Sequence, residues 1–214
     1  MTADQTLQAL RDARVIAVIR ADDPGTAIRT AEALLPGGIT AIELTFTTPD
    51  VEQAMDRLAI YADTALIGLG TITTPEQAVR AAQLRAAFLV SPGCPPGLTD
   101  AMLHTGITTI AGCLTPTEIL TAHQQGAHAI KIFPASVVGP RYLSDLRGPF
   151  PDLHAIPTGG IAATDIPQWL DAGALAVGIG GQLARPVHNA HDHRSLVAAA
   201  RALQTTPHAD TTPA

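Results

Sequence analysis

Short apolar runs alternate with segments of helical periodicity along almost the whole chain. Runs at residues 15–20, 41–45, 65–70 and 87–91 predict strands, and four more follow at 108–112, 129–133, 154–158 and 175–180. Their near-continuous apolarity suits parallel strands covered by other elements better than half-exposed hairpins. Between them, "TTPEQAVRAAQL" offers Thr74 as a helix N-cap with Pro75 in the first turn, and "TPTEILTAHQQG" repeats the pattern at Thr115 and Pro116, with Gly126 as its stop. "TPDVEQAMDRLAIYA" places Pro49 in a further first turn. "ADQTLQALRDA" reads as an extra helix before the first strand, and "HRSLVAAARALQ" closes the pattern. Eight strands alternating with helices predict an α/β fold, a (β/α)8 TIM barrel with an extra N-terminal helix, as one domain over residues 1–204. A doubly wound open sheet is the alternative, but no G-x-G-x-x-G follows the first strand and no linker divides the chain. Residues 205–214, polar and proline-containing, are expected to form a frayed tail.

Strand alternation then sorts the polar residues. In "AIELT", Ala41, Glu43 and Thr45 share one face and Ile42 and Leu44 the other; in "AIKIF", Lys131 opposes Ile130 and Ile132. If the bulky aliphatics meet the outer helices, Glu43 and Lys131 both point into the barrel. A barrel keeps its active site at the C-terminal strand ends, where Arg20, Thr71, Gly160, Gly180 and Gly181 also fall.

Composition sharpens one of these positions. The chain has twelve arginines, and Lys131 is its single lysine. A guanidinium cannot be deprotonated in a protein, whereas an amine can lose its proton and attack a carbonyl carbon. Lys131 is therefore expected to be a nucleophile that forms an imine, with Glu43 as general acid and base. The plain alternative is a buried salt bridge, which Arg would serve better. "PTGGI" and "GIGGQLARP" follow the last two strands, where barrels frequently bind phosphate through backbone N–H groups; two ordinary tight turns are the alternative. Arg20 could hold a carboxylate or phosphate by paired hydrogen bonds, or form only a rim ion pair. Thr71 could orient a substrate oxygen, or cap the next helix.

The remaining features mainly exclude. A net charge of −6 with scattered basic residues argues against nucleic acid, and no apolar run is long enough to span a membrane. Cys94 and Cys113 form no C-x-x-C pair and no disulfide framework, so they read as ordinary buried or semi-buried thiols of a cytoplasmic protein. "HNAHDH" (188–193) superficially resembles a metal-ligand cluster but reads as a solvated loop, so no metal is expected.

Together the motifs resemble the 2-keto-3-deoxy-6-phosphogluconate / 4-hydroxy-2-oxoglutarate (KDPG/KHG) aldolase family. "GITAIELTF" matches the pattern around that family's catalytic glutamate, and "GAHAIKIFPASVVG" the pattern around its Schiff-base lysine. "GLGT", "VSPG", "PTGG" and "GIGG" fall in the expected order, and the likeness runs from about residue 15 to residue 186. The resemblance implies a class I aldolase without metal or other cofactor, a cytoplasmic barrel commonly built as a homotrimer. Its substrate would be a phosphorylated 2-keto-3-deoxy sugar acid, cleaved to pyruvate and glyceraldehyde 3-phosphate, or a small 4-hydroxy-2-oxo acid. It also implies that Arg20, Thr71 and Gly160 contact substrate, with Gly180 and Gly181 near the phosphate. Two departures stand out: Thr47 replaces an arginine that many members carry, and Gly181 replaces a serine. A phosphate-binding barrel isomerase or synthase, and a non-catalytic sugar-phosphate sensor, are the rival readings.

Overall fold

The computed structural model describes residues 1–204; the expected tail at 205–214 lies outside the described residues. Eight strands form one parallel sheet: β1 (Val15–Ile19), β2 (Ala41–Thr45), β3 (Leu66–Gly70), β4 (Phe88–Val90), β5 (Thr108–Cys113), β6 (Ala129–Ile132), β7 (Ala155–Pro157) and β8 (Val177–Ile179). From β1 to β7 each pairs with its sequence neighbours, and β8 returns to pair with β1. The last seam, between β7 and β8, is held by a parallel bridge of Thr158 with Gly178 and by Leu175 N–H donating to the Ala155 carbonyl at 2.7 Å. The sheet is therefore a barrel, as the strand count predicted.

Helices cover it in alternation: α1 (Ala3–Ala13), α2 (Pro24–Leu34), α3 (Val51–Leu58), α4 (Pro75–Gln83), α5 (Leu98–Leu103), α6 (Pro116–Gln124), α7 (Pro140–Leu146), α8 (Ile166–Asp171) and α9 (Ala190–Gln204). The Thr-Pro starts behave as their chemistry dictates. Thr74 and Thr115 each accept a backbone N–H three residues on, and Gln77 and Glu118 reach back to the caps, so orphan donors are satisfied in pairs. Thr2 and Gln5 make the same box on α1. Pro49 behaves otherwise: it lies outside α3, which begins only after Asp50 turns the chain through φ 47°.

Two hydrophobic layers result. Outward residues such as Ile42, Leu44, Ile130 and Ile132 pack with the inner faces of the helices. Inward residues of the lower barrel, including Ala41, Phe88, Ile110 and Ala129, form a second cluster with Leu7 and Leu10 of α1. The extra N-terminal helix is thus the plug of the barrel's N-terminal mouth. Burying Leu7 and Leu10 there contributes about 1.5–3 kcal/mol each, and the opposite mouth stays open.

One ionisable group ties this lower mouth to pH. His128, just before β6, accepts the Thr109 N–H through Nδ1 at 3.0 Å. Partial burial lowers its pKa from the ordinary value of 6.5, against an opposing pull from Asp4 on α1, and its carbonyl lies 3.3 Å from His154 Nδ1. Above 6.5 the ring is neutral in both folded and unfolded chains. As pH falls below that value the unfolded chain takes up a proton that the folded ring resists, so stability is lost on acidification. His128→Asn keeps an acceptor but cannot titrate; denaturant melts at about pH 7.5 and about pH 5.5 should show a smaller acid loss in this variant than in wild type.

Candidate active site

The open mouth is a cavity of about 580 Å3 at the C-terminal strand ends, and all seven residues picked from the sequence line it. Glu43 and Lys131 form its floor. Strand pairing explains why they reach the same level. Glu43 lies in register with Val18 and Gly68, and Lys131 with Gly112 and Ile156. Their outward neighbours are anchored in the helix layer, so both side chains have only the barrel interior to enter. Lys131 Nζ stands 3.5 Å from Glu43 Oε1, with the two residues 5% and 3% exposed. This is an ion-pair separation that falls outside hydrogen-bond alignment: Oε1 is a buried acceptor without a hydrogen-bond donor among the described residues. The Phe133 ring lies 5.2 Å from Nζ, close enough for its π face to attract the ammonium.

A buried pair of this kind does little for stability, because desolvation offsets the Coulomb gain. Its geometry suits chemistry better: an amine beside a carboxylate that can take its proton, both facing an open cavity. Gly70, at the end of β3, makes this geometry possible. A Cβ there would lie 1.9 Å from Glu43 Oε1, and β3 cannot retreat because it is paired along its length with β2. Gly70→Ala should therefore push the carboxylate from Lys131 and lower turnover on the order of 10²-fold, with little change in melting temperature. Steady-state kinetics beside a thermal melt check this.

The other expected residues ring the mouth. Arg20, just past β1, is exposed and makes no hydrogen bond or ion pair among the described residues, so the rim-pair alternative is not what the geometry shows. Thr71 follows β3 with φ 55°, a left-handed conformation that strains a β-branched residue by roughly 1–3 kcal/mol. It does not cap α4; Thr74 does. Gly159 and Gly160 follow β7 with φ 97° and 71°, which a side chain would rarely adopt. Gly180 and Gly181 follow β8, where the Gly180 carbonyl accepts Leu183 N–H at 2.8 Å. The glycine pairs are turns, and these turns line the cavity.

Sequence reasoning passed over Thr158, Phe133 and Pro92, which also line it. Thr158 had a readable signal, since it shares a face with inward Ile156. Phe133 had one too, since in "AIKIF" it shares a face with Lys131, and Pro92 lies at a strand end beside Ser91. Phe133–Pro134 is a cis peptide. "HNAHDH" is a helix start more than a loop: the Asn189 side chain accepts the N–H groups of His191 and Asp192, and Asp192 accepts His188 N–H. Its histidines lie away from Lys131 and Glu43, and the described residues hold no group of three or more metal-ligating side chains. No helix among them is long and apolar enough to cross a membrane.

An isolated lysine and glutamate at the floor of a barrel could belong to more than one lineage, and comparison with known proteins decides which. The family model for KDPG and KHG aldolases matches residues 7–197. The chain is 35% identical over 173 residues to the 2-dehydro-3-deoxy-6-phosphogalactonate aldolase of Escherichia coli, covering 80% of this chain and 84% of that one. It is also 35% identical over 161 residues to the 2-dehydro-3-deoxy-phosphogluconate aldolase of Pseudomonas aeruginosa, covering 75% and 73%. Among solved structures, a KDPG aldolase of Legionella pneumophila, with pyruvate captured at low pH as a covalent carbinolamine intermediate, superimposes with TM-score 0.82. That match is 29% identical and covers 92% of this chain and 97% of that one. By sequence and by fold, this chain belongs to the KDPG and KHG aldolase family.

Proposed function

We propose that this protein is a class I aldolase that cleaves a 2-keto-3-deoxy-6-phospho sugar acid to pyruvate and glyceraldehyde 3-phosphate. The observation that carries this reading is the Lys131–Glu43 pair, 3.5 Å apart on the floor of an otherwise open cavity. The Lys131 amine adds to the C2 ketone, and loss of water from the carbinolamine gives a protonated imine. Glu43 relays the protons of these steps. Its carboxylate then takes the C4 hydroxyl proton as the C3–C4 bond breaks, and the electron pair of that bond flows into the imine as an enamine. Glyceraldehyde 3-phosphate leaves; protonation at C3 and addition of water release pyruvate and the free amine. Oε1 suits the relay because no hydrogen-bond donor among the described residues occupies it.

Substrate positioning follows from charge and turn geometry. The unpaired guanidinium of Arg20 reaches the anionic end of the substrate, Thr71 orients an oxygen near the imine, and Gly160 brings backbone close to the ligand. Gly180 and Gly181 leave the phosphate room to approach main-chain N–H groups. Thr47 cannot supply a second guanidinium: its hydroxyl is 2.9 Å from that of Thr45, which bonds the Ile19 carbonyl. A homotrimer in the cytoplasm is part of the same reading; a solved protein cage designed by fusing symmetric oligomeric domains is similar to the chain at TM-score 0.82 and 32% identity.

A panel of 2-keto-3-deoxy acids of gluconate and galactonate configuration, with and without phosphate, tests this by coupled detection of pyruvate. The phosphorylated acids should give the highest kcat/KM, and Arg20→Ala should raise KM more than it lowers kcat. Excess EDTA should leave turnover unchanged, because the imine supplies the electron sink. No pyruvate from any member would contradict the proposal.

A further inference from the structure

Cys94 and Cys113 stand with their sulfurs 3.7 Å apart, although they come from different elements. Cys113 ends β5 and is buried; Cys94 sits half-buried in the loop after β4. Neither lines the catalytic cavity, but each is one step from something that does. Cys94 is two residues past Pro92, a cavity wall. The Cys113 carbonyl accepts the Phe133 N–H at 3.1 Å, and the Phe133 ring lies over the Lys131 amine. Gly112 closes the triangle: a Cβ there would lie 2.3 Å from the Pro92 backbone, so the two chain segments are already in contact.

We propose that Cys94 and Cys113 are a modification site, a thiol pair that peroxide converts into a reversible intramolecular disulfide which restricts the cavity. The more exposed Cys94 meets the oxidant. Its sulfur takes one peroxide oxygen to give a sulfenic acid and water. The Cys113 sulfur then attacks the Cys94 sulfur, and the departing hydroxide leaves as water with the Cys113 proton. Two thiols and one hydrogen peroxide thus give one disulfide and two waters. Burial, then the neighbouring Cys94 sulfur and the Glu118 carboxylate, push the Cys113 thiol well above its ordinary pKa. That keeps Cys113 protonated and unreactive towards peroxide, so Cys94 is oxidised first; its 3.7 Å separation makes Cys113 the sulfur in place to resolve it. A disulfide needs its sulfurs about 2.05 Å apart, so closure draws the Cys94 loop towards β5 and shifts Pro92 against the cavity.

The effect on turnover rests on the aldolase reading; the thiol chemistry does not, and mass measures it separately. Trypsin releases both cysteines in one peptide, residues 86–131, because no Lys or Arg lies between Arg85 and Lys131. After peroxide treatment of the whole enzyme, that peptide should be two hydrogens lighter and restored by dithiothreitol. Cys94→Ser should abolish the change. Cys113→Ser should stop at a sulfenic acid that dimedone traps on Cys94. Turnover of the oxidised wild type should fall about tenfold or more and return on reduction, while Cys94→Ser is insensitive. Disulfide linkage between two chains, sulfinate on Cys94 with Cys113 untouched, or both thiols surviving would overturn the site. A peptide two hydrogens lighter with turnover unchanged would contradict the coupling to the cavity.

Discussion

The Glu43→Gln enzyme is expected to turn over on the order of 10²–10⁴-fold more slowly than wild type while keeping its fold. Gln matches the shape of Glu and preserves the packing above Gly70, where the carboxylate fills space that a Cβ would occupy. What it removes is the base. The amide cannot take the C4 hydroxyl proton and cannot relay protons during imine formation. A deeply buried cation stripped of its partner would cost about 3–5 kcal/mol. Here the pair borders an open cavity, so water can solvate the Lys131 amine and the penalty is smaller. The decisive comparison is kcat against KM. A transition-state role lowers kcat and kcat/KM together, whereas a purely structural role would show first as a lower melting temperature. Near-normal turnover would remove Glu43 from proton transfer.

Lys131→Arg should have the larger effect, a loss on the order of 10⁴-fold or more with no covalent intermediate. The substitution keeps the positive charge and even improves the donor geometry towards Glu43. If the pair served only to lock the barrel, Arg would sustain or raise stability and leave any activity intact. If the amine is the nucleophile, Arg must fail, because its guanidinium does not deprotonate. The same variant therefore separates the structural reading from the chemical one. A melting temperature near wild type beside absent turnover is the predicted combination.

Much of this site was legible because it depends on local rules. Strand parity turned Glu43 and Lys131 inward before any distance was known, and the opposed Ile42, Leu44, Ile130 and Ile132 do pack in the helix layer. Thr-Pro starts at Thr74 and Thr115 were readable for the same reason, since a cap and its partner lie within one turn. Pro49 misled because a proline suits a turn before a helix as well as the first turn itself, and only the backbone angle of Asp50 decides. Contacts between side chains of neighbouring strands and their loops were not readable. Nothing in "GLG" says that Gly70 must lack a side chain to admit Glu43 from the next strand. Nothing in two scattered cysteines says that their sulfurs meet. The Thr71 backbone strain also lies outside sequence reasoning, which would have put glycine at φ 55°. The ring of residues at the cavity mouth was legible as a place, from strand ends, more than as a set of contacts.

If the chemistry runs through an imine, the Lys131 amine bonds covalently to the substrate's carbonyl carbon. Borohydride reduction in the presence of pyruvate, followed by intact mass and tryptic mapping, tests it most directly. Because Lys131 is the only lysine, the sole other primary amine to exclude is the N-terminus. One pyruvate-derived adduct per chain is expected, located on Lys131, blocking tryptic cleavage after that residue and missing from Lys131→Arg. An unmodified chain at saturating pyruvate, or an adduct that persists in Lys131→Arg, would contradict it.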